Sequence, residues 1–140
     1  MTVSNRLYAT LCLPLLLLSG CSVRQEIQEL TASTITDSIP QLCQAGQRDI
    51  ALAEEQYQGD ILELTNAEIV RIDDHHLSTG TVRRYPVMLK AESATIFIDT
   101  NDEDQVAALI PGQHIDVSGV VDNIISDPTG CVIALKKADF

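Results

Sequence analysis

Two stretches of this chain, GDILELTNAEIVRI at 59–72 and GQHIDVSGVVDNII at 112–125, repeat one another and decide the fold. A glycine opens each stretch, and apolar residues then alternate with polar ones, as in half-buried strands. The matching pairs are Leu62 with Ile115, Leu64 with Val117, Thr65 with Ser118, and Asn66 with Gly119. Glycine within a strand often marks a bulge or bend, and asparagine tolerates a positive φ better than most residues. The repeat therefore predicts two long strands that bend at the same relative point.

Three shorter strand patterns accompany this repeat, at 82–90, 94–99 and 131–136. Between the second of them and the long strand from Gln113, the stretch NDEDQVAAL at 101–109 has the acidic first turn that favours a helix. A mainly β chain of five strands, two of them long and bent, with a short helix between strands 3 and 4, has the order of the OB-fold, a Greek-key barrel. Another α+β sandwich is the alternative.

A helical segment precedes the barrel. One apolar stripe comprises Val23, Ile27, Leu30, Ile35, Ile39 and Leu42, and a second comprises Ile50, Ala53 and Tyr57. We expect Pro40 to interrupt or bend this segment, Gly46 to separate two helices, and Gly59 to end the second. The helices should cover part of the domain, because a half-apolar helix normally buries its stripe.

The first residues resemble a bacterial lipoprotein signal. A basic Arg6, a short apolar run from Leu7 to Leu18 and the stretch Leu18-Ser19-Gly20-Cys21 occur in that order, and the run is too short to span a bilayer. This resemblance implies lipid attachment at Cys21 and cleavage just before it, and Ser22 is typical of sorting to the outer membrane. The domains expected are a signal peptide at 1–20, a lipidated linker and helical segment at 21–47, and an OB-fold domain at 48–140.

The net charge limits the ligands that we expect the protein to bind, and the cysteine count predicts a disulfide. The chain carries a net charge of −11, and loss of residues 1–20 with Arg6 lowers it to −12. Because phosphate backbones are bound by Lys and Arg, this acidity predicts that the protein binds no nucleic acid. With Cys21 acylated, Cys43 and Cys131 remain in an oxidising compartment, and such a pair is expected to form a disulfide.

Residues 48–140 resemble the bacterial OB-fold family named for its similarity to tRNA anticodon-binding domains. The resemblance lies in ALAEEQYQGD at 51–60, in FIDTNDEDQVAALIPGQHIDVSG at 97–119 and in a final apolar strand. It departs at Asn66, where many members have glycine, and at Arg48-Asp49, where Asn-Glu is common. The periplasmic OB-fold stress proteins are similar at a greater distance. These are core and turn positions, so the resemblance implies a fold rather than an activity.

Three groups of residues are candidate sites. Strand alternation places Arg84, Met88 and Phe97 together on the outer face of strands 2 and 3, and aromatic residues, Met and Arg are enriched at protein interfaces. The same alternation leaves open that the helices cover this face and make Phe97 part of the core. The second group, Arg71, Arg83 and Arg84, is a possible anion cluster, although pairing with Asp73 and Asp74 would neutralise it. The third, His75 and His76 with Asp73, Asp74 and the distant His114, offers metal ligands without the spacing of known sites.

We interpret the protein as a lipid-anchored, periplasm-facing binding module of the outer membrane that is not an enzyme and requires no cofactor. No serine has the context of an activated nucleophile, and no pair of carboxylates stands apart from the solvent face. A protein partner in an envelope complex is the first hypothesis, and envelope oligosaccharide or another small anionic ligand is the alternative. A metal-dependent sensor or enzyme is the weakest of the three.

Overall fold

The fold is a barrel of five strands with helices packed against it. The computed structural model describes residues 32–73, 75–76 and 83–140, with the side chains of His75, His76 and Arg83 excepted. The strands are β1 Ile61–Ile72, β2 His75–His76, β3 Arg83–Ala91, β4 Ala94–Thr100, β5 His114–Asp127 and β6 Gly130–Asp139, and the helices are α1 Ile39–Arg48, α2 Ile50–Tyr57 and α3 Glu103–Ala107. The predicted signal peptide and Cys21 lie outside these residues.

Strand pairing closes the barrel. The long strand β1 pairs antiparallel with both β3 and β5, β3 pairs with β4, and β5 pairs with β6. A parallel pairing of β4 with β6 completes the circle, and the two-residue strand β2 extends only the edge of β3. The short helix α3 lies in the chain between the third and fourth strands of the barrel. This confirms the predicted OB-fold.

Only one member of the sequence repeat has its bulge at the matched point. The β1–β5 register shifts between Leu64 and Ala67, with the additional residue on β1. In the β5–β6 shift between Ser118 and Val120 the additional residue lies on β6, where Lys137 has φ 50°. Asn66 has φ 59°, and its backbone N–H donates to Oδ1 of Asp116 at 2.9 Å. Gly119 serves another purpose, because a Cβ there would lie 3.1 Å from the Cβ of Leu135 on β6.

The core follows the strand alternation. Buried side chains occur at every second position of β3 and β4, and the largest fully buried ones are Leu42, Ile69, Val87, Leu89, Ile96, Ile98, Val121, Ile124 and Ile133. Burial of each such side chain contributes about 1.5–3 kcal/mol to the free energy of unfolding. Eight of the nine lie on barrel strands, and Leu42 joins them from α1, so one core holds the helix and the barrel together.

The helix α1 begins later than its apolar stripe predicts. It starts after Ser38, whose backbone N–H donates to the Oε1 of Gln41 at 2.7 Å, and Pro40 lies in its first turn. Residues 32–38 are not helical, so the apolar segment is interrupted just before Pro40 rather than bent at it. Proline fits the first turn of a helix because the N–H groups there have no partner within the helix. Leu42 is fully buried on the face that packs against the barrel.

The two helices are separated at Asp49 rather than at Gly46. Asp49 ends α1, and its carboxylate accepts from the backbone N–H of Leu52 at 3.2 Å, which caps α2. Gly46 lies inside α1, where a Cβ would come within 3.0 Å of the Ile124 side chain. This glycine allows close packing of the helix on β5.

Two further links attach the N-terminal segment to the barrel. The sulfur atoms of Cys43 in α1 and Cys131 in β6 are bonded, with their Cα atoms 5.7 Å apart. Thr34 forms a parallel bridge with Ile61, the first residue of β1. Residues 33–140 accordingly form one unit, and the boundary expected at 47/48, where the family resemblance begins, falls inside α1.

Candidate binding face

The predicted face on β3 and β4 has the orientation that strand alternation requires. Val87 and Ile98 are buried in the barrel, whereas Met88 and Phe97 point outward from directly opposite positions on the two strands. Both outward side chains are half-buried. Neither belongs to the core or to the partly buried apolar residues that pack against it. Phe97 is therefore an outer residue, and the alternative that made it part of the core is wrong.

Other apolar side chains extend this pair across the sheet. Phe97 lies beside Ala134 of β6 in the register, and Thr95 lies beside Val132, which in turn lies opposite Ile125 of β5. Val70, in the register shift of β1, is 52% exposed, and Ile125 is 51% exposed. We name as the outer patch the side chains of Val70, Met88, Phe97, Ile125, Val132 and Ala134.

Two arginines near the outer patch, Arg71 and Arg84, have carboxylate partners. Arg71 Nε lies 2.9 Å from Asp73 Oδ2, and Arg84 Nε lies 3.5 Å from Asp99 Oδ2. The register places Arg71 opposite Met88, which is four residues, or about 13 Å, along β3 from Arg84. The structure thus does not bring these two arginines together. The side chain of Arg83 lies outside the described residues.

The structure describes only some of the candidate metal ligands. His75 and His76 form β2 opposite Arg84 and Arg83, and their side chains and Asp74 are not among the described residues. His114 begins β5. Within 32–73, 75–76 and 83–140, no group of three or more His, Cys, Asp or Glu side chains could hold a metal ion.

A shallow cleft borders the outer patch and was not foreseen from the sequence. Its volume is about 330 Å³, and its walls are formed by Val70, Met88, Lys90, Glu92, Ser93, Ala94 and Thr95. The turn Glu92-Ser93 connects β3 to β4 and closes one end, with Glu92 at φ 49°. The register shift at Val70 forms part of the wall. The short gap between the predicted strands at 82–90 and 94–99 is the sequence signal that could have indicated this site.

The turn between β5 and β6 is held by a single carboxylate. Oδ1 of Asp127 accepts from the backbone N–H groups of Thr129 at 2.7 Å and Gly130 at 3.0 Å, and from the Thr129 hydroxyl. The bond from that hydroxyl is the largest cause that lowers the pKa of Asp127 below its usual value. This turn corresponds to one of the two loops through which OB-folds bind ligands.

Comparisons with known proteins support the fold and name no family. No protein-family model and no curated protein sequence matches the chain, so the family resemblance described above stays a prediction. Among solved structures, the chain is similar to a "putative nucleic acid-binding lipoprotein" from Klebsiella pneumoniae subsp. pneumoniae, with 20% identity and a TM-score of 0.58. The match covers 79% of this chain and 94% of that chain.

This similarity corrects the prediction that nucleic acid is excluded. A barrel of the same fold belongs to a lipoprotein that is described as a nucleic acid binder, so neither the fold nor a lipid anchor supports the exclusion. The net charge was the wrong quantity to use, because single strands bind through local aromatic and basic groups.

Proposed function

We propose that this protein is a lipid-anchored, non-enzymatic binding module whose outer patch contacts a protein partner at the bacterial outer membrane. The observation that carries the proposal is the Met88–Phe97 pair, which faces outward on the two strands that OB-folds use for ligands. Aromatic residues and Met are enriched at protein interfaces, and the surrounding arginines have carboxylate partners of their own. A surface whose centre is apolar, and whose nearby Arg71 and Arg84 are already paired with carboxylates, fits a protein better than a phosphate backbone.

The anchor in this proposal is the lipid on Cys21. No helix in the described part of the chain is long and apolar enough to cross a membrane. Ser33 is tied to the barrel, because its carbonyl accepts from the Ile61 N–H at 2.9 Å and its own N–H donates to Asp60. The twelve Cα-to-Cα steps from Cys21 to Ser33 reach at most about 40 Å. A tether of that length raises the local concentration of the barrel near partners in the same membrane.

The test of this function is the variant Phe97→Asp. A charge at the centre of the outer patch should abolish co-purification of the partner, while the melting temperature stays close to the wild-type value because Phe97 lies outside the core. Leu52→Asp is the matched control, since Leu52 is 60% exposed on α2. Retention of the partner by Phe97→Asp, or its loss from both variants, would contradict the proposal.

Nucleic acid is a second candidate ligand, favoured by the description of the Klebsiella lipoprotein. Fluorescence anisotropy with a labelled single-stranded oligonucleotide tests it directly. Binding through Phe97 and nearby cations should weaken steeply with salt and should be lost in Phe97→Asp. Binding that is insensitive to salt, or unchanged in this variant, would count against nucleic acid as the ligand of the face.

A further inference from the structure

The cleft beside the outer patch carries opposite charges in a fixed order. Met88 and Lys90 occupy alternate positions near the end of β3, Glu92 follows in the turn, and all three line the cleft. Met88 and Lys90 therefore lie on one face of the strand, about 6.5–7 Å apart. The wall therefore presents an apolar, a basic and an acidic group in that order, with Val70 opposite the apolar end.

The two charges of the cleft are not used within the described part of the protein. Arg71, Arg84 and Lys136 each form an ion pair there, whereas Lys90 forms none. Glu68 is the register partner of Lys90 on β1, yet the two form no ion pair, and the Glu68 side chain does not line the cleft. Lys90 and Glu92 do not pair with each other either. Both charges are thus available to a bound segment.

The backbone at Glu92 is a second, independent indication of a function. Glu92 has φ 49°, a conformation that favours glycine or asparagine, in a two-residue turn between Ala91 and Ala94. A residue with a side chain is disfavoured at such a φ, because its Cβ lies too close to the following carbonyl oxygen. Strained residues of this kind are concentrated at functional sites. The strain here holds a carboxylate at the end of the cleft.

We infer that the cleft binds an extended peptide segment of the partner whose alternate residues are apolar, acidic and basic, in that order. An extended chain has the same two-residue spacing as β3, so its apolar residue contacts Val70 and Met88 while its acid reaches Lys90 and its base reaches Glu92. This assignment rests on the proposed function and specifies the part of the partner that is recognised.

The test uses two pools of short, amidated fluorescent peptides. In the first pool, alternate residues are apolar, acidic and basic in that order. In the second pool they are apolar, basic and acidic. Each pool contains peptides in which the order runs from the N-terminus and peptides in which it runs from the C-terminus. The protein is purified in mild detergent as the cell processes it, and anisotropy is measured for wild type and for the double variant Lys90→Glu/Glu92→Lys. The exchange of charges leaves the net charge unchanged.

Wild type should prefer the first pool by roughly fivefold, as expected from two exposed ion pairs, and the double variant should prefer the second pool by a similar factor. Equal binding of the two pools, an unreversed preference, or no binding of either pool would overturn the assignment. If one of these results is obtained but the partner still binds wild type and not Phe97→Asp, only the assigned peptide specificity is wrong. If binding of the partner does not depend on Phe97, the proposed function itself is wrong.

Discussion

The hydroxyl of Tyr57 donates a 2.7 Å hydrogen bond to Oδ2 of Asp37 and so joins the end of α2 to the segment that precedes α1. The tyrosine side chain is buried, and this burial, together with the bond to Asp37 and its negative charge, raises the pKa of Tyr57 to about 12. A group whose folded pKa is raised stabilises the fold below its unfolded pKa, and that contribution is lost as the pH rises through the folded pKa.

The free energy of unfolding should therefore decrease between about pH 10 and pH 12, because the unfolded chain releases the Tyr57 proton first. Tyr57→Phe should remove this part of the decrease, and it should cost about 1 kcal/mol at neutral pH through loss of the hydrogen bond. Urea denaturation at neutral and alkaline pH measures both effects. Tyr85→Phe is the control, since the buried Tyr85 hydroxyl has no hydrogen-bond partner within the described part of the chain. Equal behaviour of the two variants would contradict this account.

The bond between Cys43 and Cys131 links α1 to β6 over a sequence separation of 88 residues. Chain entropy predicts about 4–5 kcal/mol for a loop of this length, and measured values are often smaller. In urea denaturation we expect the free energy of unfolding of the Cys43→Ala/Cys131→Ala variant to be about 2–5 kcal/mol below that of wild type. Thiol labelling of the denatured, unreduced protein should find neither cysteine free, and stoichiometric labelling of both would show that no disulfide exists in the cell.

Gly119 should not tolerate a larger residue. A Cβ at this position would meet Leu135 at 3.1 Å and Ala138 at 3.3 Å, and overpacking of this kind costs about 1–3 kcal/mol. Gly130→Ala is the matched control because nothing lies within 4 Å of its Cβ position. Thermal denaturation should show a lower melting temperature for Gly119→Ala than for wild type. The melting temperature of Gly130→Ala should stay close to the wild-type value. A similar loss in both variants would point to a general effect of alanine in these strands.

The barrel could be predicted because its strands follow a strict alternation and because Asn66 and Gly119 mark matching points of the two long strands. Both positions were assigned one reason, a positive φ or a bend, whereas the structure separates them. Asn66 adopts the positive φ, and Gly119 allows β6 to approach. A single sequence does not distinguish these two roles, since either one selects a small or permissive residue.

The binding face was only half predictable. The outward orientation of Arg84, Met88 and Phe97 follows from the period of two, which is local, and the structure shows it. The ion pair of Arg84 with Asp99 and the cleft between β1 and the β3–β4 turn depend on strand register. Register in turn depends on the shift at Val70, which leaves no mark in the sequence. Features that depend on the long-range pairing of strands could therefore not be predicted from the sequence.

Glu92 offers a way to separate stability from recognition. Asparagine occupies the left-handed region more readily than glutamate, so Glu92→Asn should raise the free energy of unfolding by about 0.5–1 kcal/mol. Glu92→Gln retains the strained φ and removes the charge, so its stability should stay near that of wild type. Urea denaturation of the three proteins measures this difference, and equal stability of the Asn and Gln variants would show that the turn is not strained. Both variants should lose part of the preference between the two peptide pools, because both lack the carboxylate. A variant that is more stable yet less selective is the expected result when strain is retained for function.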